Sequence, residues 1–297
     1  MKNGPAIRQA RFLSAGIRAR AGEKDGMKIG VSTLGCPEWT LDEILSRLPG
    51  YGYAGVELRG LGPDLDLTQS PAFSSPTAIE HSRRSFADAG LAICGVDTSC
   101  SFTDPALSAR KRTLEEGCRA LDLAVALGAP TVRIFGGAIG SEAERSEAAK
   151  RVASGLMELG DYAAQVGAGA VVLETHDAFS TGAQVAEVLC QAVHPHVKAL
   201  WDLHHPFRHG EAPSETFESL SPYVEQTHVK DSRPNGTYCL LGDGDIPILE
   251  MLRLLKGGGY DGWLNLEWEK RWIPELMDPV IAFPQYARRL REYLDQL

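Results

Sequence analysis

The chain has 297 residues, with 30 Lys and Arg against 39 Asp and Glu, a formal net charge of −9. Apolar residues make up 43% and charged residues 23%, which is ordinary for a globular protein with a large core. The acidic balance excludes the basic footprint that nucleic acid requires, and no apolar run of about 18 residues exists to span a membrane.

The first stretch, Met1–Gly26, carries Lys2, Arg8, Arg11, Arg18, Arg20 and Lys24 against Glu23 and Asp25. It lacks the apolar centre of a secretory signal. Either it is a transit peptide, or it is a disordered or mis-assigned extension ahead of a start at Met27. Its poor helical periodicity favours the extension. The cysteines Cys36, Cys94, Cys100, Cys118, Cys190 and Cys239 are scattered, with no Cys-x-x-Cys pair. That pattern fits reduced thiols in a cytoplasmic protein.

From Met27 onward, short apolar runs alternate with helix signals. The strand-like runs are Lys28–Thr33, Gly55–Leu58, Leu91–Val96, Thr131–Phe135, Ala170–Glu174, Ala199–Leu203, Thr227–Val229 and Trp263–Glu267. Thr40 and Glu43 form a capping box that opens a helix. Asp104-Pro105 reads as an N-cap followed by proline, opening a helix that runs to Leu127 and stops at Gly128. Another helix spans Arg145 to Val166. The last covers roughly Val280 to Leu294, with Val280, Phe283, Ala287, Leu290 and Leu294 on one stripe. Gly52-Tyr53-Ala54-Gly55 and Gly259-Tyr260-Asp261-Gly262 repeat one glycine-rich passage from helix to strand.

Eight strands alternating with helices call for parallel pairing through right-handed crossovers. Such units close as a (β/α)8 TIM barrel, an α/β fold in which a single domain holds about 250 residues. Residues 27–297 fit it. An open doubly wound sheet is the alternative. No Gly-x-Gly-x-x-Gly follows the first strand, and Thr33–Pro37 puts a proline where a phosphate-binding helix would begin.

Barrel chemistry sits where strands end. Glu174, Asp202, His228 and Glu267 close four successive strand-like runs, at spacings of 28, 26 and 39 residues. Three carboxylates and an imidazole delivered to one end make an oxygen-rich site for a divalent metal. Glu269 lies on the same side as Glu267 and keeps that assignment open. His205, in Asp-x-x-His, is a fifth ligand or a substrate donor. His204 reads equally as loop packing, and His81, His194 and His196 as ordinary core or surface residues. Lys230 reaches a substrate oxygen or pairs with Asp231 or a neighbouring acid. Arg59 and Glu57 stand in the same position at the second strand. His176 follows Glu174, and Trp39 and Phe135 are candidate pocket walls, with core packing the favoured role for Phe135. Gly242-Asp243-Gly244-Asp245 is a mouth loop or a plain turn.

The segments Gly30–Pro37, Gly55–Arg59, Leu173–His176, Asp202–His205, His228–Asp231 and Leu266–Trp272 together resemble the xylose isomerase-like TIM barrel superfamily, also called the sugar phosphate isomerase/epimerase family. The resemblance implies that Glu174, Asp202, His228 and Glu267 bind a divalent metal, manganese foremost, with cobalt, magnesium or zinc also used. It implies Glu174 and Glu267 as the acid/base pair. It assigns His205 to the substrate; Lys230, Glu57, Arg59, His176 and Trp39 are further substrate-contact candidates from their place near strand ends. The activity it implies is a sugar isomerase or epimerase acting on a small ketose or polyol ketone through an ene-diolate. A dehydratase acting on an inosose or dehydroshikimate, and a sugar-binding barrel without catalysis, are the alternatives. Neither nucleic acid nor membrane is expected as a partner, and a homo-oligomer is left open.

Overall fold

The apolar runs pair side by side and in parallel. In the computed structural model, which describes residues 26–297, the strands are β1 (Lys28–Ser32), β2 (Gly55–Leu58), β3 (Ala92–Ser101), β4 (Thr131–Phe135), β5 (Ala170–Glu174), β6 (Val197–Asp202), β7 (Val224–Val229), β8 (Asp231–Ser232), β9 (Tyr238–Cys239) and β10 (Trp263–Leu266). Eight of them close in the order β1-β10-β7-β6-β5-β4-β3-β2, every pairing parallel, and β8 with β9 forms a small antiparallel hairpin. The fold is a single-domain TIM barrel. Of the expected extension Met1–Gly26, residues 1–25 lie outside the described residues.

The helices are α1 (Leu41–Tyr51), α2 (Pro76–Asp88), α3 (Leu107–Leu127), α4 (Arg145–Val166), α5 (Gly182–Gln191), α6 (His205–Arg208), α7 (Pro213–Leu220), α8 (Ile248–Gly257) and α9 (Pro279–Leu294). The Thr40/Glu43 capping box opens α1 in both directions. Gly52 ends it in the left-handed region at φ 89°, and Gly259 repeats that geometry at 83° before β10. The Asp104 cap is corrected. Its Oδ1 accepts from the Ala106 amide at 2.8 Å in a local turn, so α3 begins later, at Leu107. Val280 is also corrected: it is 41% exposed, and α9 buries Ala282, Phe283, Tyr286, Ala287 and Leu290 instead.

Apolar side chains fill the layer between helices and sheet. The floor of the barrel interior is polar. Gln226 and Asn265 both donate to Glu57, and Thr131 meets Gln226. Glycine makes room for these amides. A Cβ on Gly30 would collide with Asn265, and one on Gly95 would lie 2.9 Å from the Gln226 amide nitrogen. The β3–β4 register shifts between Asp97 and Ser101, at the mouth end. No described helix is long and apolar enough to cross a membrane.

Candidate active site

Strand periodicity sends every second side chain inward. One tier of inward residues is Glu57, Asp97, Arg133, Glu174, Asp202, His228 and Glu267. Two residues further along stands a second tier, with Arg59, Ser99, Phe135, His176, Lys230 and Glu269. Contacts within each tier define the site. Ligand atoms of Glu174, Asp202, His228 and Glu267 all lie within 4.8 Å of one another, and all four residues are buried. His228 Nδ1 faces Glu174 Oε1 at 3.0 Å, Glu267 Oε2 at 3.4 Å and Asp202 Oδ2 at 3.9 Å. Its Nε2 faces Glu57 Oε1 at 2.8 Å.

Local hydrogen bonds aim these groups. Asp202 Oδ1 accepts from the amides of His204 at 2.8 Å and His205 at 3.2 Å, which turns Oδ2 toward the centre. Glu174 Oε2 is buried without a hydrogen-bond partner. Asp202 Oδ2 has no aligned donor either; its contact is the Lys230 ammonium, 2.8 Å away. Around these groups, carboxylates outnumber the fixed cations that touch them, Arg133 and Lys230. Open oxygens and a deficit of positive charge in a buried site are what a divalent cation would satisfy. The donor set therefore fits such an ion.

Residues 46–296 match the xylose isomerase-like TIM barrel family.

The chain belongs to that family.

An inosose dehydratase of Lacticaseibacillus casei is 29% identical over 169 residues, covering 49% of this chain and 53% of that one. The match thus spans about half the length of that relative. An inosose dehydratase of Klebsiella pneumoniae subsp. pneumoniae is 26% identical, covering 91% of this chain and 97% of that one. Among solved structures, Escherichia coli YcjR, a 3-keto-D-glucoside 4-epimerase, superposes with a TM-score of 0.73 at 19% identity, covering 90% of this chain and 99% of that one. The IolI protein with a bound zinc atom gives 0.77 at 16% identity, covering 91% and 99%. These two likenesses describe the fold.

Within this xylose isomerase-like barrel, charge is distributed unevenly. Burial pushes Glu174 up, but His228 and Arg133 outweigh it and hold the carboxyl below its usual range. Glu267 sits lower still, because His228 and Lys230 both offset its burial. Burial works against a charged His228, yet Glu267, Glu57 and Glu174 hold it well above the usual imidazole range. Burial, with Lys230 and His176 nearby, keeps His205 well below that range and neutral. Burial and Glu57 push Asp97 well above the usual carboxylate range.

The structure sorts the remaining expected residues. Lys230 pairs with Asp202, Glu267 and Glu269, not with Asp231. Asp231 instead accepts from the amides of Gly242 at 2.8 Å and Gly244 at 3.2 Å, so the glycine-rich loop is a tethered turn. Glu269 lies outside the ligand set, holding Lys230 at 2.8 Å and the Tyr238 hydroxyl at 3.0 Å. His176 and His205 meet edge-on at 4.7 Å beside the mouth. His205 Nε2 is 3.7 Å from Asp202 Oδ2. His204 donates or accepts at Ser232 Oγ, 2.9 Å away.

Three expectations are corrected. Glu57 is not at the substrate surface; it is fully buried on the Nε2 side of His228, bonded to Gln226 and Asn265. Trp39 packs edge-on against Phe283 of α9 at 5.5 Å, with Arg47 over its ring, and belongs to the α1–α9 contact. Phe135 is not core filling. It lies half-buried at the mouth under the Arg133 guanidinium, 3.7 Å away, and against His176. Sequence reasoning missed Arg133 and Asp97. Their signal was a charged residue inside an otherwise apolar strand, in phase with the inward positions. Arg133 bridges Asp97 at 3.5 Å and Glu174 at 3.4 Å.

Proposed function

We propose that the chain is a divalent-metal-dependent enzyme that takes a proton from the carbon beside the carbonyl of a small polyol ketone, and that it is a dehydratase. The observation carrying this reading is the convergence of Glu174, Asp202, His228 and Glu267 on one buried point. These four would hold the ion; the bound zinc in the structurally similar IolI protein supports a metal there. When bound, the ion would polarise the substrate carbonyl and acidify the neighbouring C–H.

The chain's own groups supply the rest. Glu174 accepts the proton at Oε2, which has no hydrogen-bond partner and lies 3.4 Å from the Arg133 guanidinium. It then returns that proton to the hydroxyl leaving the next carbon, so that one C–H and one C–O bond break, a C=C bond forms and water departs. Lys230 Nζ, in the tier above and already beside Glu267, hydrogen-bonds the substrate oxygens. His205 stays neutral and orients a hydroxyl. The inosose dehydratase relatives favour this outcome. Epimerisation is the second reading, favoured by a second carboxylate, Glu267, on the other side of His228 Nδ1. There Glu267 returns a proton to the opposite face.

Glu174→Gln keeps size and one oxygen ligand but removes the base. It is expected to retain metal and lose turnover by roughly a hundredfold or more. His228→Ala should lose metal and turnover together. A conjugated enone rising in the ultraviolet marks dehydration, whereas solvent deuterium at the substrate carbon of a saturated product marks epimerisation. Full activity in Glu174→Gln would remove this residue from the reaction.

A further inference from the structure

One cation at the mouth lacks an anionic partner. Arg59 is 4% exposed, its Nη2 donates to Ser99 Oγ at 2.9 Å, and its Nη1 is buried with no hydrogen-bond partner. Among the described residues it makes no ion pair, whereas buried Arg133 and Lys230 each meet carboxylates. Burial and the nearby Arg133 bring its pKa down to about 10, so the group is still charged at neutral pH. A buried guanidinium with an open N–H, offset only by the more distant carboxylates of Asp97, Glu267 and Glu174, is unfavourable on its own.

The position of Arg59 is fixed without its side chain. Thr33 Oγ1 accepts from the Arg59 amide at 2.9 Å and donates to the Gly60 carbonyl at 2.7 Å, which pins the end of β2. The guanidinium then reaches over the second tier. Ser99 beside it is exposed, and Trp272, 51% exposed, stands with its ring 6.0 Å away. Ser99 and Trp272 are thus open to solvent beside a guanidinium that is itself covered, and a ring at that distance is a weak substitute for a counter-charge.

We propose that Arg59, with Ser99, binds a carboxylate carried by the substrate, so that the polyol ketone is an acid rather than a neutral sugar. The proposal rests on Glu174, Asp202, His228 and Glu267 being the reacting centre, since it places the acid group one tier above them. A guanidinium fork matches the two oxygens of a carboxylate. One arginine and one hydroxyl offer too few donors for a phosphate dianion, and the carboxylates below disfavour a second negative charge.

Calorimetry on the protein as purified tests this without turnover, with quinate as an unreactive cyclic polyol acid, myo-inositol as its neutral counterpart, and inorganic phosphate. Quinate is expected to bind at least about tenfold more tightly than either of the others. Arg59→Met should weaken quinate roughly 30-fold, with metal content and melting temperature retained. Arg59→Lys keeps the charge but not the fork, and should fall between. Ser99→Ala, at an exposed position, should weaken quinate about fivefold and covers the case of an unfolded arginine variant. Quinate binding that matches myo-inositol, or that ignores both the Arg59 and Ser99 variants, overturns the subsite. Phosphate binding as tightly as quinate overturns the carboxylate assignment. Arg59-dependent quinate binding with no ketone turned over would keep the subsite and remove the proposed reaction. Turnover of an inosose with a KM indifferent to Arg59→Met would do the reverse.

Discussion

Glu57 holds the Nε2 side of His228 at 2.8 Å and so reserves Nδ1 for the three carboxylates. An outer carboxylate of this kind sets the ring's orientation and tautomer. Glu57→Gln keeps the shape but reverses one donor, and is expected to weaken metal affinity by roughly 10- to 100-fold. Titration of stripped protein with manganese and zinc measures it, and an unchanged affinity would make Glu57 mere floor packing. His228 also carries a pH dependence. In the metal-free protein it is held well above the usual imidazole range, so ligation must expel its proton. Apparent affinity should then rise with pH, by about tenfold per unit while the free site stays protonated. Calorimetry in buffers of different ionisation enthalpy reads that proton directly. That Glu174, Asp202, His228 and Glu267 converge was legible because each stands at or beside the end of a strand. The depth of Glu57 was not, because an acid at a strand's mouth and one beneath a neighbour's ring look identical in one dimension.

Strand ends and helix caps were the most readable elements. The capping box of α1, the glycine stop of α4 and the span of β5 follow from local chemistry alone. Where tertiary pairing decides, the sequence was silent. β3 runs on to Ser101, past the expected Val96, because β4 still pairs with it beyond the register shift. Phe135 looked like core because only the fold shows Arg133 stacked on it. The turn after β9 is tied to the barrel by Asp231, whose carboxylate accepts from Gly242, Gly244 and Ile246. Asp231→Ala leaves those amides without their acceptor and is expected to cost about 1–3 kcal/mol. Urea unfolding checks it; a loss below about 0.5 kcal/mol would mean that water replaces the carboxylate.

At the scale of the molecule, closure makes the site rigid and ties it to stability. An ion that binds only the folded barrel stabilises it by about 2.7 kcal/mol at a hundredfold excess over Kd. Stripping with a chelator should therefore lower the melting temperature by several degrees, and Asp202→Ala should abolish that difference. An identical melting curve with and without chelator would mean that the ion does not bind the folded chain. The barrel closure was legible in the count of strand runs; the polar floor was not, since amides and glycines scattered over four strands meet only when the sheet closes. That floor leaves the interior with one door. Gln226, Asn265 and Thr131 are buried beneath the ligand tier, and Gln226 and Asn265 are bonded to its Glu57. A proton taken from a substrate at this tier would have bonded side chains below it and the mouth above. Isotope retained in the product would then act as a clock, setting the return of the proton against its exchange with solvent.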